Sequence, residues 1–180
     1  FCCEKPWEGD GAYHPACLKR LFGSPRAPEI AFALSDLPKQ IIELGNRSSI
    51  SGVQMKASVK LNTETWKLEV VSIGGTHILK PEPGQFPDLP QNENLCMNIA
   101  EHMSLAVPPH GLFPMADKRL CYVIKRFDRL ENETKLQKET FYQILQSTNK
   151  YKGSLEGIAR AIRAHATNVG LDSIDFFERT

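Results

Sequence analysis

The chain has 180 residues, of which 41% are hydrophobic and 24% charged, and a net charge of +1. That length buries one good core or two smaller lobes, and the charge balance gives no electrostatic reason to invoke nucleic acid or an anionic membrane. No apolar run approaches the roughly 18 residues that span a bilayer, and the opening residues, with Glu4, Lys5, Glu8 and Asp10, hold no signal-peptide core, so a cytoplasmic location is expected.

Cys2, Cys3, Cys17, Cys96 and Cys121 are odd in number and unevenly spread. They do not form a disulfide framework, and reduced thiols are expected. The chain starts at Phe1 without methionine and reads as a trimmed or partial product.

Residues 1–44 carry Cys2-Cys3, then Tyr13-His14-Pro15-Ala16-Cys17, then a short helical run ending at Gly23. Cys3, His14 and Cys17 have the chemistry of three zinc ligands, but a fourth is not evident. The alternative is a surface loop leading into a helix, broken by Pro25 and Pro28. A second helix is expected from Ser35 to Gly45, with Ser35 or Asp36 as its cap and Leu37, Ile41, Ile42 and Leu44 on one side.

Next comes Arg47-Ser48-Ser49-Ile50-Ser51-Gly52-Val53-Gln54-Met55-Lys56, rich in hydroxyls and closed by a lysine. Such a turn offers backbone N–H groups to phosphate oxygens, and it is also what an exposed hairpin turn looks like. Ala57, Val59 and Leu61 alternate with polar residues as in a half-buried strand. A second strand is expected through 66–71, a turn at Gly74-Gly75, and a third strand through His77-Ile78-Leu79-Lys80, the three forming a meander. Lys80 then supplies a compact positive charge near the loop.

Pro81, Pro83, Pro87 and Pro90 mark a loop. A helix is expected from Asn92 as cap, with Leu95, Met97, Ile99, Ala100 and Met103 at helical spacing. Glu93 would lie in its first turn. The helix dipole favours a carboxylate there, or else Glu93 pairs with Lys80 across a cleft. After an extended piece at 111–113, Leu120-Cys121-Tyr122-Val123-Ile124 reads as a buried strand. It opens abruptly into Lys125-Arg126-Phe127-Asp128-Arg129, charge that marks the edge of a cleft. From 130 onward the pattern is helical, over 139–145, from Ser154 as cap through 155–163, and from Asp172. The class is α+β, divided into an N-terminal segment (1–44), a β-rich lobe with one helix (45–129) and the start of a helical lobe (130–180).

In this order the chain resembles the HipA-like serine/threonine kinases, the toxins of bacterial toxin–antitoxin modules. The resemblance rests on Ser49 to Lys56, His77-Ile78-Leu79-Lys80-Pro81, Asn92-Glu93, Val107-Pro108, Lys125-Arg126-Phe127-Asp128-Arg129 and Lys150-Tyr151. It implies a kinase-like antiparallel-sheet N-lobe followed by the first helices of a helical C-lobe, with ATP and Mg2+ as cofactors. Ser51, Gly52, Val53 and Lys56 would line the phosphate loop, with Ser49 or Ser51 as autophosphorylation sites. Lys80 would touch the nucleotide phosphates, with Glu93 opening the next helix. The backbone of Lys125 to Phe127 would read the adenine edge.

The implied partners are an antitoxin and a protein substrate, possibly of the translation apparatus, with no direct nucleic-acid contact. The family's catalytic aspartate finds no match before Thr180, so the expectation is a fragment inactive by itself. The other reading is a non-catalytic kinase-like lobe that binds an antitoxin or a kinase partner. A phosphorylated serine in the loop would place about −1.5 to −2 charge where nucleotide phosphates sit, and would oppose their binding.

Overall fold

A computed structural model describes residues 8–9, 12–44, 54–130, 134–149 and 152–180. The chain divides into two compact units, Phe1–Thr134 and Lys135–Thr180.

The first unit is a five-stranded antiparallel sheet with helices on both faces. Its strands are β1 (Ala57–Asn62), β2 (Lys67–Val70), β3 (His77–Pro81), β4 (His110–Pro114) and β5 (Leu120–Lys125). Their order is β2-β1-β3-β5-β4, so the first three strands are not the expected meander. Val59 pairs with Val70 on one side and with His77 on the other. The chain must therefore step across β1 between Val71 and Thr76, and backbone bonds fix both ends of the step: Val71 N–H to Ser58 O at 2.9 Å and Thr76 N–H to Val59 O at 3.0 Å. This crossing is what the glycine pair serves. Gly74 has φ 74°, and a Cβ on Gly75 would collide with the Ser58 hydroxyl.

Alternation along the strands separates two faces. The rear face carries Ala57, Val59, Leu79, Phe113, Cys121 and Val123, all buried. Against it pack α1 (Pro15–Phe22), through Leu18, Leu21 and Phe22, and α2 (Leu37–Glu43), through Leu37 and Ile41. Each such fully buried side chain contributes about 1.5–3 kcal/mol. Pro15 occupies the first turn of α1, where its missing N–H costs nothing, and Gly23 ends the helix at φ 78°. Tyr13 stacks on Phe113 at 4.8 Å and donates to Leu112 O at 2.9 Å. The carboxylate of Asp36 accepts from Ala33 N–H at 2.9 Å, so it fixes the turn before α2 and makes no side-chain cap. Gly45, the expected end of that helix, lies outside the described residues.

The front face receives α3 (Leu89–His102), which runs between β3 and β4. In the second unit, α4 (Phe141–Ile144) is shorter than the expected 139–145 and starts with a capping box between Thr140 and Gln143. The Ser154 hydroxyl caps α5 (Leu155–His165) as expected, and α6 (Val169–Glu178) begins three residues before Asp172. The result is an α+β fold. No helix among the described residues is long and apolar enough to cross a membrane.

Candidate functional site

Lys80 stands on β3 opposite Tyr122 of β5, one place along from Leu79, whose side chain is fully buried in the rear core. Alternation therefore sends Lys80 to the front face, beneath α3. There its Nζ donates to Glu93 Oε2 at 2.8 Å, with the two side chains 28% and 23% exposed. This is the pairing that the sequence left as one of two readings of Glu93, and the helix start decides between them. α3 begins at Leu89, with Asp88 before it in the left-handed region (φ 58°) and Pro90 within the first turn. Asn92 is thus not the cap, and the first turn holds no acidic residue. Glu93 lies in the second turn, where the dipole effect has faded, and Lys80 accounts for its position.

The inner side of α3 is polar. Asn94 and Asn98 are buried, whereas Leu95, Ile99 and Met103, whose spacing announces the helix, are exposed. His110 Nδ1 donates to Pro108 O at 2.9 Å, and its Nε2 lies 3.2 Å from the Asn98 amide head. The Tyr122 ring is 5.7 Å from that of His110 and 5.5 Å from Lys80 Nζ, a cation–π distance. Burial, and then the charge of Glu93, hold the Tyr122 phenol well above its usual range.

The sheet register orders the remaining candidates. β1 pairs Ala57 with Leu79, so the same register, one residue further, sets Lys56 opposite Lys80. Ser49, Ser51, Gly52 and Val53 lie outside the described residues, as do Cys3, Lys150 and Tyr151. At the other end of β3, His77 pairs with Lys125, three residues or about 10 Å along the strand from Lys80. Between them Ile78 faces Ile124, both half-buried on the front face. Sequence reasoning passed over this apolar pair, although its i−2 spacing from Lys80 was the available signal.

The edge of β5 is more occupied than its charge pattern implied. Lys125 N–H donates to Pro109 O at 2.8 Å and Arg126 N–H to Thr76 O at 2.9 Å. Lys125 lies on the rear face with His77, and Phe127 is 65% exposed. Asp128 is buried between two guanidiniums. Arg126 donates to it twice, at 2.9 and 2.7 Å, and Arg129 at 2.9 Å. Arg126, Asp128 and Arg129 therefore form a clamp on the turn that follows β5, with the buried acid shared by two cations.

Among the described residues no three His, Cys, Asp or Glu side chains converge on a metal position. His14 precedes α1 and Cys17 sits in its first turn. A hollow of about 440 Å³ between α2 and the edge strand β2, lined by Phe32, Gln40, Glu43, Lys67 and Val70, contains neither Lys80 nor Glu93. Burial pushes the Cys121 thiol up to about 12, which makes it a packing residue and not a nucleophile.

Comparison with known proteins shows which family the chain resembles. The chain is 28% identical, over 165 residues, to a protein of Haemophilus influenzae described as "Putative kinase", in a match that takes in 84% of this chain. The chain spans about half of that relative's length, 48%. The model of the HipA-like C-terminal domain matches residues 48–180, which begins inside the serine-rich loop and takes in every residue of the site just described. The chain belongs to the HipA-like family.

Proposed function

We propose that this chain provides the ATP-binding lobe of a HipA-like serine/threonine kinase. The observation that carries the reading is the 2.8 Å ion pair between Lys80 on β3 and Glu93 on the helix that follows β3. Protein kinases use a lysine on that strand and a glutamate on that helix to hold the nucleotide phosphates. The β2-β1-β3-β5-β4 sheet, with its helix inserted between β3 and β4, supports a kinase-like N-lobe.

The residues present fit the nucleotide. Lys80, with Lys56 beside it, would meet the phosphates, and the serine-rich loop would supply N–H groups at the same end of the sheet. Ile78 and Ile124 would flank the base, and the turn after β5 would read its edge. Since the Lys125 and Arg126 N–H groups are taken, that reading falls to other backbone groups of the turn. Mg2+ would neutralise charge on the transferring phosphoryl group. In the whole protein the γ-phosphate would pass to a serine or threonine hydroxyl, with Ser49 or Ser51 as the site of autophosphorylation and an antitoxin as partner. A substrate in the translation apparatus belongs to the same reading.

Calorimetric titration of the chain with Mg·ATP tests it. Binding is expected, weakened about tenfold or more by Lys80→Met, which deletes a charge-assisted contact, and also weakened by Ser49→Asp/Ser51→Asp. Absence of binding by the unaltered chain, or the same affinity in Lys80→Met, would overturn the assignment and favour a kinase-like lobe that binds proteins only.

A further inference from the structure

β2 is an edge strand, and only its first half is covered. Glu29 lies parallel to it at Lys67, where Glu29 N–H donates to Trp66 O at 3.0 Å and Leu68 N–H donates to Glu29 O at 2.9 Å. The backbone groups of the even-numbered residues of β2 therefore point away from β1. The covering segment then leaves the edge and crosses toward Ala116, whose N–H donates to Phe32 O at 3.2 Å. Behind it, Leu68 O, Val70 N–H and Val70 O take no hydrogen bond among the described residues. Beside these groups lies the hollow of about 440 Å³ between α2 and β2, with Phe32, Leu44, Leu68 and Val70 as its apolar lining and Gln40 and Glu43 of α2 across from them. An unpaired strand edge next to an apolar hollow takes up an extended peptide as one more strand: backbone bonds hold it, and alternate side chains enter the hollow.

The charges around the hollow choose the occupant. Lys67 is taken by Glu29 at 3.4 Å. Glu43 has only Lys39, at 3.8 Å and with both side chains well exposed. Glu69 accepts from Asn62 Nδ2 at 2.9 Å, and although Lys60 stands opposite it in the register, it forms no ion pair among the described residues. What remains uncompensated is acid. A second copy that paired its own β2 here would bring two Glu69 carboxylates close, like charge against like charge. We infer that the open end of β2 is a docking edge for a basic extended peptide. Its backbone bonds to Leu68 O and Val70 N–H, its apolar residues enter the hollow, and an intervening lysine or arginine meets Glu69 on the front of the strand. Neither Lys80 nor Glu93 takes part, so the inference stands apart from the nucleotide reading.

Fluorescence anisotropy with the full chain tests it. The probe is a labelled peptide of about six residues that alternates lysine with valine. One control carries glutamate in place of lysine, and the other is N-methylated along its backbone, which keeps the charge and loses the donors. Saturable binding of the lysine probe alone is expected. Glu69→Lys should weaken it about three- to tenfold. Val70→Pro should weaken it about tenfold, since it deletes an N–H that faces away from β1 and leaves the β1–β2 ladder whole. Should Val70→Pro not fold, the N-methylated probe decides the backbone part. No binding of the lysine probe, equal binding of either control, or unchanged affinity in Glu69→Lys would overturn the inference. Self-association of the unaltered chain that disappears in Val70→Pro would give the edge to a second copy and overturn it as well.

Discussion

A carboxylate with 1% of its side-chain surface exposed persists as a charge only when cations and donors surround it, and Asp128 has both. Arg126 grips it with two N–H groups and Arg129 adds a third, and their side chains are 16% and 19% exposed. The geometry of Arg126 is the bidentate fork that suits a guanidinium and that lysine cannot reproduce. Removing the acid leaves two half-buried cations facing each other, so Asp128→Ala should cost about 3–5 kcal/mol, read as a fall in the urea midpoint with the slope unchanged. A loss under about 1 kcal/mol would mean that water replaces the carboxylate and that the clamp does not hold the turn. In the sequence these residues look like a patch of charge at a cleft edge. Nothing in the order Arg126-Phe127-Asp128-Arg129 tells that the acid is inside and the phenylalanine outside, because burial here follows from a turn that folds the polar group under the sheet edge. The pairing of Lys80 with Glu93 was more legible. A lysine two residues after an isoleucine on a strand, followed by a glutamate on the next helix, has few ways to meet, and the alternation of β3 permits the contact seen.

At the scale of elements, α3 shows where a pattern identifies a helix without orienting it. Leu95, Ile99 and Met103 recur every four residues and make the helix recognisable, yet they are 45%, 51% and 65% exposed, while Asn94 and Asn98 are 3% exposed. The side that faces the sheet is chosen by Glu93 reaching Lys80 and by Asn98 meeting His110, and these contacts override the hydrophobic stripe. A helix seated on hydrogen bonds has an outcome opposite to one seated on leucines. Asn98→Ala should destabilise the chain by about 1–3 kcal/mol, because it strands the buried His110 nitrogen, whereas Ile99→Ser should stay within about 0.5 kcal/mol of the unaltered chain. The reverse ranking in thermal or urea melts would show that α3 turns its apolar side inward in solution. The strands were readable for the complementary reason. On the rear face the period of two coincides with burial, so 57–62, 67–70 and 120–125 emerge within a residue or two of expectation. Their order was not readable, since a period shows which way a side chain points and carries no record of the neighbour. The step across β1 at Gly74-Gly75 had the same letters as a hairpin turn.

For the first unit as a whole, the question is what keeps the segment before β1 on the sheet, and one residue gives that attachment a pH dependence. His77, 4% exposed on β3, donates through Nε2 to Leu21 O of α1 at 2.9 Å and accepts at Nδ1 from the Thr76 hydroxyl at 2.9 Å. It is a neutral ring with both nitrogens used, clipped between the sheet and the helix that covers its rear core. Its pKa lies below the ordinary value of 6.5: burial is the main cause, the Lys125 charge adds to it, and the bond to Leu21 opposes it. Lys125 thus acts on the rear face through this ring, besides ending the strand that leads to the turn. Folded His77 binds a proton less readily than unfolded His77, so at low pH the unfolded chain carries the extra proton and stability rises with pH. The contribution is fully present above about pH 6.5 and is lost as pH falls from there through the lowered folded value, at a slope of at most about 1.4 kcal/mol per pH unit for one proton. Urea midpoints measured at about pH 7.5 and about pH 5.5 should fall between the two for the unaltered chain. The fall should shrink in His77→Gln, which cannot take up the proton, and also in Lys125→Met, where the imidazolium loses its repelling neighbour. Equal slopes in all three would place the acid sensitivity elsewhere. A reduced slope in His77→Gln alone would show that burial lowers this pKa without help from Lys125. If both variants flatten the profile, the clip between α1 and β3 is the acid-sensitive joint of the unit, and the loosening exposes the apolar rear core while Lys80 and Glu93 keep their pairing on the other face.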